Sequence, residues 1–198
     1  KPDPKMSGVK YVFNPIMKEI TKGITRDKKS DNDTVKMIVL DMANDVKRAE
    51  KYMEDIYESI LNSDYALSQY AKFIDLLIEN ENGASLWHCT AGKDRAGFAT
   101  FLVLECLGVD KEKIIQDYLL TNEYTKKDVN KMIEDIKKDY DYPLIDQVVK
   151  ALFGIKREYL ENIYDTIDKE YGSMQNFLYN KIGLNDEKII KMRKMFLD

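Results

Sequence analysis

The sequence predicts an α/β fold in three layers, with a small, mostly parallel sheet flanked by helices and a helix-rich C-terminal half. Two short segments, 8–14 and 84–88, are rich in β-forming or apolar residues and are bounded by turn residues, which is typical of strands. From about residue 43 onward, apolar residues recur with the helical period. The chain has 198 residues, of which 44% are hydrophobic, and this suits one large core. We therefore expect residues 1–198 to form a single domain.

The region between the two predicted strands contains a loop and two long helices. Residues 21–34 are polar and rich in helix breakers, which indicates a mobile loop. The apolar run 35–40 is too short for periodicity to decide between strand and helix. Two amphipathic stripes then predict helices over 43–62 and 64–80. We expect these helices, within 43–80, to form part of a wall or lid over a pocket.

The remainder of the chain is predicted as helical. One helix is expected from Arg95 to Leu107, where Gly108 ends it. Further helix boundaries are indicated by capping residues, proline and glycine. The expected starts are Asp110, the box Thr125–Asp128, Pro143, Ser173 and Asn185, and the expected ends are Gly154, Gly172 and Gly183.

Composition excludes several classes of function. The net charge is −4 and the pI is near 5.3, which argues against nucleic-acid binding through phosphates and against a polybasic membrane anchor. No apolar run approaches the ~18 residues that a membrane span needs. One histidine, His88, rules out a zinc site with two histidine ligands from one chain. We expect a cytoplasmic protein, with secretion and the oligomeric state left open.

One segment, residues 84–97, carries chemistry. A predicted strand ends at His88 and Cys89, a tight loop contains Gly92, and a helix begins near Arg95. Such a loop directs several backbone N–H groups to one point, and the helix dipole adds positive potential there. The sequence therefore predicts an anion-binding loop with Cys89 at its floor and Arg95 at its end.

This pattern favours phosphoryl transfer through a cysteine. The helix N-terminus favours the thiolate form of Cys89, which is the nucleophile. The planar guanidinium of Arg95 can bind two phosphate oxygens. The thiolate would attack phosphorus to give a phosphocysteine, and water would then hydrolyse it. No metal and no cofactor is expected, because the backbone and Arg95 supply the positive charge.

Other interpretations of the loop fit less well. A structural strand–turn–helix corner explains Gly92, but not the charges that follow it. A Walker A loop needs Ser or Thr after the lysine, where this chain has Asp94. A Cys-His dyad between His88 and Cys89 is disfavoured, because neighbouring strand residues point to opposite faces. Cys106 lies about 16 Å beyond Arg95 along the predicted helix, which is too far for a disulfide with Cys89. We therefore expect Cys106 to be a buried apolar residue of the core.

The run His88–Gly97 resembles the phosphate loop of the cysteine-based protein tyrosine phosphatases. The likeness is greatest to the bacterial and fungal branch with the loop HC-x-AGKDR-T-G, which includes dual-specificity and phosphoinositide phosphatases. Residues 107–109 and 115–122 resemble the "LGV…DYLLTN" segment of that branch, and the resemblance spans about residues 9–197. It implies a tyrosine-phosphatase-like fold.

The resemblance also implies roles for the loop residues. Cys89 would be the nucleophile and Arg95 the phosphate ligand, while His88 would orient the loop. Lys93 resembles a loop lysine that favours highly charged substrates, and its alternative is a solvated lysine at the pocket rim. The backbone N–H groups that would bind phosphate belong to Thr90, Ala91, Gly92, Lys93, Asp94 and Arg95.

The sequence specifies the general acid, which protonates the leaving group, less closely than it specifies the nucleophile and the phosphate ligand. Asp94 is our first candidate, because this branch of the family uses its loop aspartate. Its alternative is a salt bridge or a helix N-cap. A mobile loop that carries an aspartate and closes over the pocket is the device of the wider superfamily. The other candidates are Asp27, Asp31 and Asp33 on that loop and Asp41 beyond it.

Two departures from the family pattern stand out. Ala96 follows the arginine where the family has Thr, whose hydroxyl helps the thiolate leave, so we expect slow hydrolysis of the phosphocysteine. The family's N-terminal "RDLGG"-like strand and its strand with an Arg-Ser pair are not found in this sequence. We therefore expect either that the sequence is truncated at its N-terminus or that part of the sheet is missing or rebuilt.

Together these observations predict a phosphomonoester hydrolase of the protein tyrosine phosphatase type. Phosphotyrosine in proteins is the first expected substrate, and phosphoserine, phosphothreonine and phosphoinositides are further candidates. The alternative is a phosphate-binding module, or pseudo-phosphatase, with little turnover. The expected partners are a phosphorylated protein or a phosphoinositide, and not nucleic acid.

Overall fold

The computed structural model describes residues 3–17, 29–81 and 83–197, and the regular structure in these ranges is helical. The ten helices of the described residues are α1 Lys29–Asp41, α2 Val46–Leu61, α3 Asp64–Glu79, α4 Asp94–Leu107, α5 Lys111–Leu119, α6 Thr121–Lys137, α7 Ile145–Phe153, α8 Arg157–Tyr171, α9 Met174–Asn180 and α10 Asp186–Leu197.

Local side-chain caps explain where several helices begin. The Asp45 carboxylate accepts a hydrogen bond from the Arg48 backbone N–H at 3.0 Å, and the Ser63 hydroxyl accepts one from Ala66 at 3.2 Å. Each cap satisfies a donor of the first turn that has no partner inside the helix. The predicted caps Asp110, Ser173 and Asn185 are confirmed in the same way.

The hydrophobic core is organised around α7 and α4. Helix α7 packs against α1, α2 and α6, while α4 packs against α3, α5 and α10. Burial of these faces removes apolar surface from water and is the main favourable contribution to folding. The side chains of α7 that are fully buried are Ile145, Val148, Val149 and Leu152.

The predicted strands are not formed within the described residues. Residues 84–88 make no backbone–backbone hydrogen bond to another described residue, and residues 8–14 make one, a local turn from Val9 to Met6. A strand needs a neighbour to accept and donate its ladder hydrogen bonds, and neither segment has one here. The predicted three-layer sheet is therefore not seen among the described residues, whose regular structure is helical.

Two predicted helix starts are wrong. Helix α6 begins at Thr121 and runs through Thr125, whose hydroxyl donates to the Thr121 carbonyl at 2.8 Å instead of capping a new helix. Pro143 is not in the first turn of α7, because that helix begins at Ile145 and Pro143 lies in the preceding turn. The two residues have different outcomes, since Thr125 lies inside a helix that begins one turn earlier and Pro143 lies in the turn before its helix.

The open choice over 35–40 is resolved as helix. Val35 and Val39 are one turn apart on α1 and are both buried. Residues 29–34, which were predicted as part of the mobile loop over 21–34, belong to α1. Residues 21–28 lie outside the described part of the chain.

None of the helices in the described ranges is both long and apolar enough to cross a membrane.

Candidate active site

The loop before α4 has the backbone of an anion-binding turn. Residues 89–93 lie outside regular structure, with Gly92 at a φ of 67°, in the left-handed region that favours glycine. Helix α4 then begins at Asp94, and Lys93 precedes it without a side-chain cap. The first N–H groups of α4 are thus left to bind an outside acceptor, which is the site where anions bind to helices.

The two ends of the loop are joined by Arg95. Its Nη2 donates to the Thr90 hydroxyl at 3.1 Å, and its backbone carbonyl accepts a hydrogen bond from the Tyr70 hydroxyl of α3 at 3.0 Å. Cys89 is half-buried next to Thr90. Burial, and then the nearby Cys89 charge, raise the pKa of Tyr70, while Arg95 opposes this. Tyr70 therefore stays a hydrogen-bond donor to the loop.

Lys93 is directed into the protein. It is 5% exposed, and its ammonium donates to the carbonyls of Leu152 at 2.8 Å and Gly154 at 3.3 Å, at the C-terminal end of α7. Its Nζ also lies 3.4 Å from Oδ1 of Asp94. Carbonyls at the end of a helix carry the negative pole of its dipole, so a cation is stabilised there. The alternative of a solvated lysine at the pocket rim is therefore wrong.

Asp94 belongs to a chain of buried hydrogen bonds. The Tyr57 hydroxyl of α2 donates to Oδ1 of Asp94 at 2.7 Å, and the Tyr118 hydroxyl of α5 bonds to that of Tyr57. Burial, and then the negative charge of Asp94, raise the pKa of Tyr57 well above its ordinary value. The pKa of Tyr118 is raised mainly by burial. Both tyrosines therefore remain protonated, and the Asp94 carboxylate keeps a donor.

His88 is exposed and links the loop to the N-terminal segment. One ring nitrogen, Nδ1, lies 3.0 Å from the Cys89 carbonyl, and the other, Nε2, lies 3.0 Å from the Asp3 carboxylate. The hydrogen bond to the Cys89 carbonyl, and then that to Asp3, raise the pKa of His88. The predicted orienting residue thus contacts the backbone of the nucleophile.

Ala96 lies in the first turn of α4, and a threonine one turn later is held beside it. The Thr100 hydroxyl donates to the Ala96 carbonyl at 3.0 Å and accepts a hydrogen bond from the Trp87 indole at 3.2 Å. The Thr100 hydroxyl is therefore committed to the helix and to Trp87.

The remaining acid candidates lie elsewhere. Asp41 is at the end of α1, where its carboxylate accepts from Arg48 at 2.6 Å on the surface. Asp27 lies outside the described residues, and Asp31 and Asp33 lie on the first turns of α1, where the structure describes the backbone. Of the candidates whose side chains are described, Asp94 is the one on the loop.

Three tyrosines of the site were missed by sequence reasoning. Tyr57, Tyr70 and Tyr118 lie on the apolar stripes of α2, α3 and α5, where a tyrosine is usually a core residue. Their rings are indeed in the core, but each hydroxyl bonds to another group at the site. The sequence shows that these tyrosines recur on apolar stripes, but this spacing does not indicate which groups of other helices their hydroxyls bond to.

Comparison with known proteins identifies the family. The family model described as the tyrosine phosphatase family matches residues 1–198. The chain belongs to this family. The predicted membership of the cysteine-based protein tyrosine phosphatases, in their bacterial branch, is thereby confirmed.

The matches to relatives in the tyrosine phosphatase family include half or more of this chain, but a smaller share of each relative's length. The chain is 32% identical to the triple specificity protein phosphatase PtpB of Mycobacterium tuberculosis, over 75% of this chain and 56% of PtpB. It is 26% identical to a tyrosine-protein phosphatase of Nostoc commune, over 51% of this chain and 35% of that protein. The chain spans about half the length, or less, of the curated relatives it matches.

Proposed function

We propose that this chain hydrolyses phosphomonoesters through a phosphocysteine intermediate, with phosphotyrosine in proteins as its first substrate. The observation that carries the proposal is the loop from Cys89 to Arg95 at the N-terminus of α4, with the guanidinium held across the loop by Thr90. Membership of the tyrosine phosphatase family supports the same reaction. PtpB is named a triple specificity protein phosphatase, and this name supports more than one class of substrate for the present chain. Phosphoserine, phosphothreonine and phosphoinositides are the further candidates.

In the first step, the Cys89 thiolate attacks phosphorus and the bond from phosphorus to the leaving oxygen breaks. The N–H groups of residues 90–95 and the guanidinium of Arg95 stabilise the charge on the phosphoryl oxygens. Asp94 gives its proton to the leaving oxygen, which matters because a tyrosine phenolate has a pKa of about 10.

In the second step, water attacks the phosphocysteine and the bond from sulfur to phosphorus breaks. Asp94, now a carboxylate, takes the proton of the water. Orthophosphate leaves and the thiolate is regenerated. His88 contributes by holding the Cys89 carbonyl, and so the backbone of the nucleophile.

We also propose that residues 84–88 act as a strand of a parallel sheet, as the family resemblance implies. Two neighbouring side chains have opposite surroundings: Leu86 is 89% exposed, whereas the Trp87 ring packs on Phe73 with 5.3 Å between ring centroids. Successive side chains of a strand point to opposite faces, so this pair fits a strand. Amide hydrogen exchange over these residues tests the proposal. Slow exchange supports pairing, and exchange at the rate of an open chain contradicts it.

The competing function is a phosphate-binding module with little turnover. Ala96 favours it, because it stands where the family has a threonine that helps the thiolate leave. Cys89 disfavours it, because binding alone does not need the nucleophile.

The deciding experiment measures orthophosphate release from a phosphotyrosine peptide, a phosphoserine peptide and a phosphoinositide. Wild type is compared with Cys89→Ser, and Cys106→Ser is the matched control because that thiol is buried away from the loop. Loss in Cys89→Ser alone supports the phosphocysteine mechanism, and the ranking of substrates gives the class. Binding of vanadate without turnover favours the binding module. Neither turnover nor anion binding contradicts both functions.

A further inference from the structure

The carboxylate of Asp94 is approached from two sides, and both donors meet the same oxygen. The Tyr57 hydroxyl lies 2.7 Å from Oδ1, and the Lys93 ammonium lies 3.4 Å from that same atom. Within the described residues, no hydrogen bond is made to Oδ2. The two oxygens of this side chain therefore have different surroundings.

The direction of the hydrogen bonds follows from proton counting. The hydroxyl of Tyr57 has one proton, and it is donated to Asp94. In the bond between the two tyrosines, Tyr118 must then be the donor. Burial keeps both hydroxyls protonated, since it raises the pKa of each. The chain of donors therefore runs from Tyr118 through Tyr57 to Oδ1.

Packing fixes the position of both rings. Tyr57 and Tyr118 are 4% and 8% exposed. The Tyr57 ring also lies against that of Tyr159, with 5.8 Å between centroids, and Tyr118 packs beside Gly97 of α4, where an added Cβ would lie 3.5 Å from its ring. A hydroxyl on a ring that cannot turn away is a fixed donor, and fixed donors orient the group that they bind.

We propose that Tyr57, supported by Tyr118, is a positioning residue that holds Oδ1 of Asp94 and thereby leaves Oδ2 as the oxygen that carries and transfers the catalytic proton. A protonated carboxylic acid has one carbonyl oxygen, which accepts, and one hydroxyl, which donates. Donors on Oδ1 make it the carbonyl oxygen, so the proton lies on Oδ2. This proposal rests on the proposed role of Asp94 as the general acid.

The test compares two substrates that differ in their need for an acid. Phenyl phosphate releases a poor leaving group, while p-nitrophenyl phosphate releases a far better one that needs little protonation. The quantity compared is kcat/KM, which reports steps up to formation of the phosphocysteine and is insensitive to its slow hydrolysis. A merely structural defect would lower kcat/KM for both substrates equally.

The variants are Tyr57→Phe, Tyr118→Phe and Asp94→Asn, with Tyr159→Phe as the control. Tyr159 is also a buried tyrosine, on the neighbouring α8, and its hydroxyl donates to the Ala151 carbonyl at 3.4 Å. We expect Asp94→Asn to lose about 100-fold or more on phenyl phosphate. Tyr57→Phe should lose about 10-fold there and less than about 3-fold on p-nitrophenyl phosphate. Tyr118→Phe should follow the same pattern with a smaller loss, and Tyr159→Phe should lose equally on both substrates or on neither.

The outcomes separate this inference from the proposed function. If Asp94→Asn shows the leaving-group pattern and Tyr57→Phe behaves like Tyr159→Phe, the positioning role is overturned while the acid role stands. If Asp94→Asn affects both substrates equally, the acid role fails and the inference fails with it. Turnover that persists in Cys89→Ser contradicts the proposed mechanism as a whole.

If the chain shows no turnover, a second measurement tests the hydrogen bond between Tyr57 and Asp94. Urea unfolding of Tyr57→Phe, Asp94→Ala and the double variant gives the coupling between the two side chains. Coupling of about 5-fold or more in the unfolding equilibrium constant supports the hydrogen bond that the inference needs. Additive effects of the two substitutions overturn it.

Discussion

Replacing Lys93 with methionine tests whether this loop residue faces the substrate or the protein. Methionine keeps most of the volume of the lysine stem, so the apolar packing is retained. What is removed is the ammonium, which contacts the Leu152 carbonyl at 2.8 Å, the Gly154 carbonyl at 3.3 Å and Oδ1 of Asp94 at 3.4 Å.

The magnitude follows from these three contacts. Hydrogen bonds that involve a charged group contribute about 1.5–3 kcal/mol each, and only the bond to Leu152 has a good length. Asp94 keeps its donor from Tyr57, so it is not left alone. We expect the free energy of unfolding to fall by about 2–4 kcal/mol, which most domains of this size survive. The corresponding fall in Tm is about 5–15 °C.

The assay is urea unfolding followed by kinetics on the folded variant. The control is Lys127→Met, an exposed lysine on α6, which should stay within about 0.5 kcal/mol of wild type. Because Lys93 holds the loop rather than the substrate, kcat/KM should fall by the same factor on a phosphotyrosine peptide and on a polyphosphorylated inositol lipid. Unchanged stability together with a selective loss on the polyphosphorylated lipid would refute this reasoning.

Further predictions concern the two cysteines, the residue after Arg95 and the histidine. Burial raises the pKa of the Cys106 thiol to about 12, so this thiol stays protonated below that pH. Mass spectrometry after iodoacetamide treatment at mildly alkaline pH should therefore find one alkylated cysteine, Cys89. Alkylation of both cysteines would contradict the burial of Cys106. Ala96→Thr should raise steady-state turnover and lower the burst amplitude in stopped-flow kinetics, because the phosphocysteine is hydrolysed faster; no change in either would remove the role assigned to that position. Because the pKa of His88 is raised by the Cys89 carbonyl and then by Asp3, its contribution to stability is present below the ordinary histidine pKa and is lost as the pH rises through the folded value. NMR titration of this single histidine should show a lower pKa in Asp3→Asn, and an unchanged titration would mean that the contact is absent in solution.

The sequence predicted those features of the fold that depend on neighbours along the chain. The caps Asp110, Ser173 and Asn185 and the buried stripes of the long helices could be predicted from local spacing, since a helix satisfies its hydrogen bonds within one segment. The strands could not be predicted as reliably. A segment such as 84–88 has strand composition, but its pairing depends on a partner that its own residues do not specify.

The site divides in the same way. The residues from Cys89 to Arg95 are contiguous, and their spacing predicts a phosphate loop when it is taken together with His88, Gly92, the predicted strand before the loop and the predicted helix after it. The burial of Lys93 was not predictable, because its partners are carbonyls at the end of α7, some sixty residues away. The contacts of Tyr57 and Tyr70 have the same origin: an aromatic residue on an apolar stripe does not indicate where its hydroxyl will point.

Three successive residues of the loop each bond to a different helix. Lys93 bonds to the end of α7, Asp94 to Tyr57 of α2, and the Arg95 carbonyl to Tyr70 of α3. Cys89 takes part in none of these three hydrogen bonds, and its carbonyl is contacted by His88 instead. Disturbing α2 should therefore impair proton transfer more than attack by the thiolate. The ratio of kcat/KM between p-nitrophenyl phosphate and phenyl phosphate should therefore rise when the helices hold the loop less well.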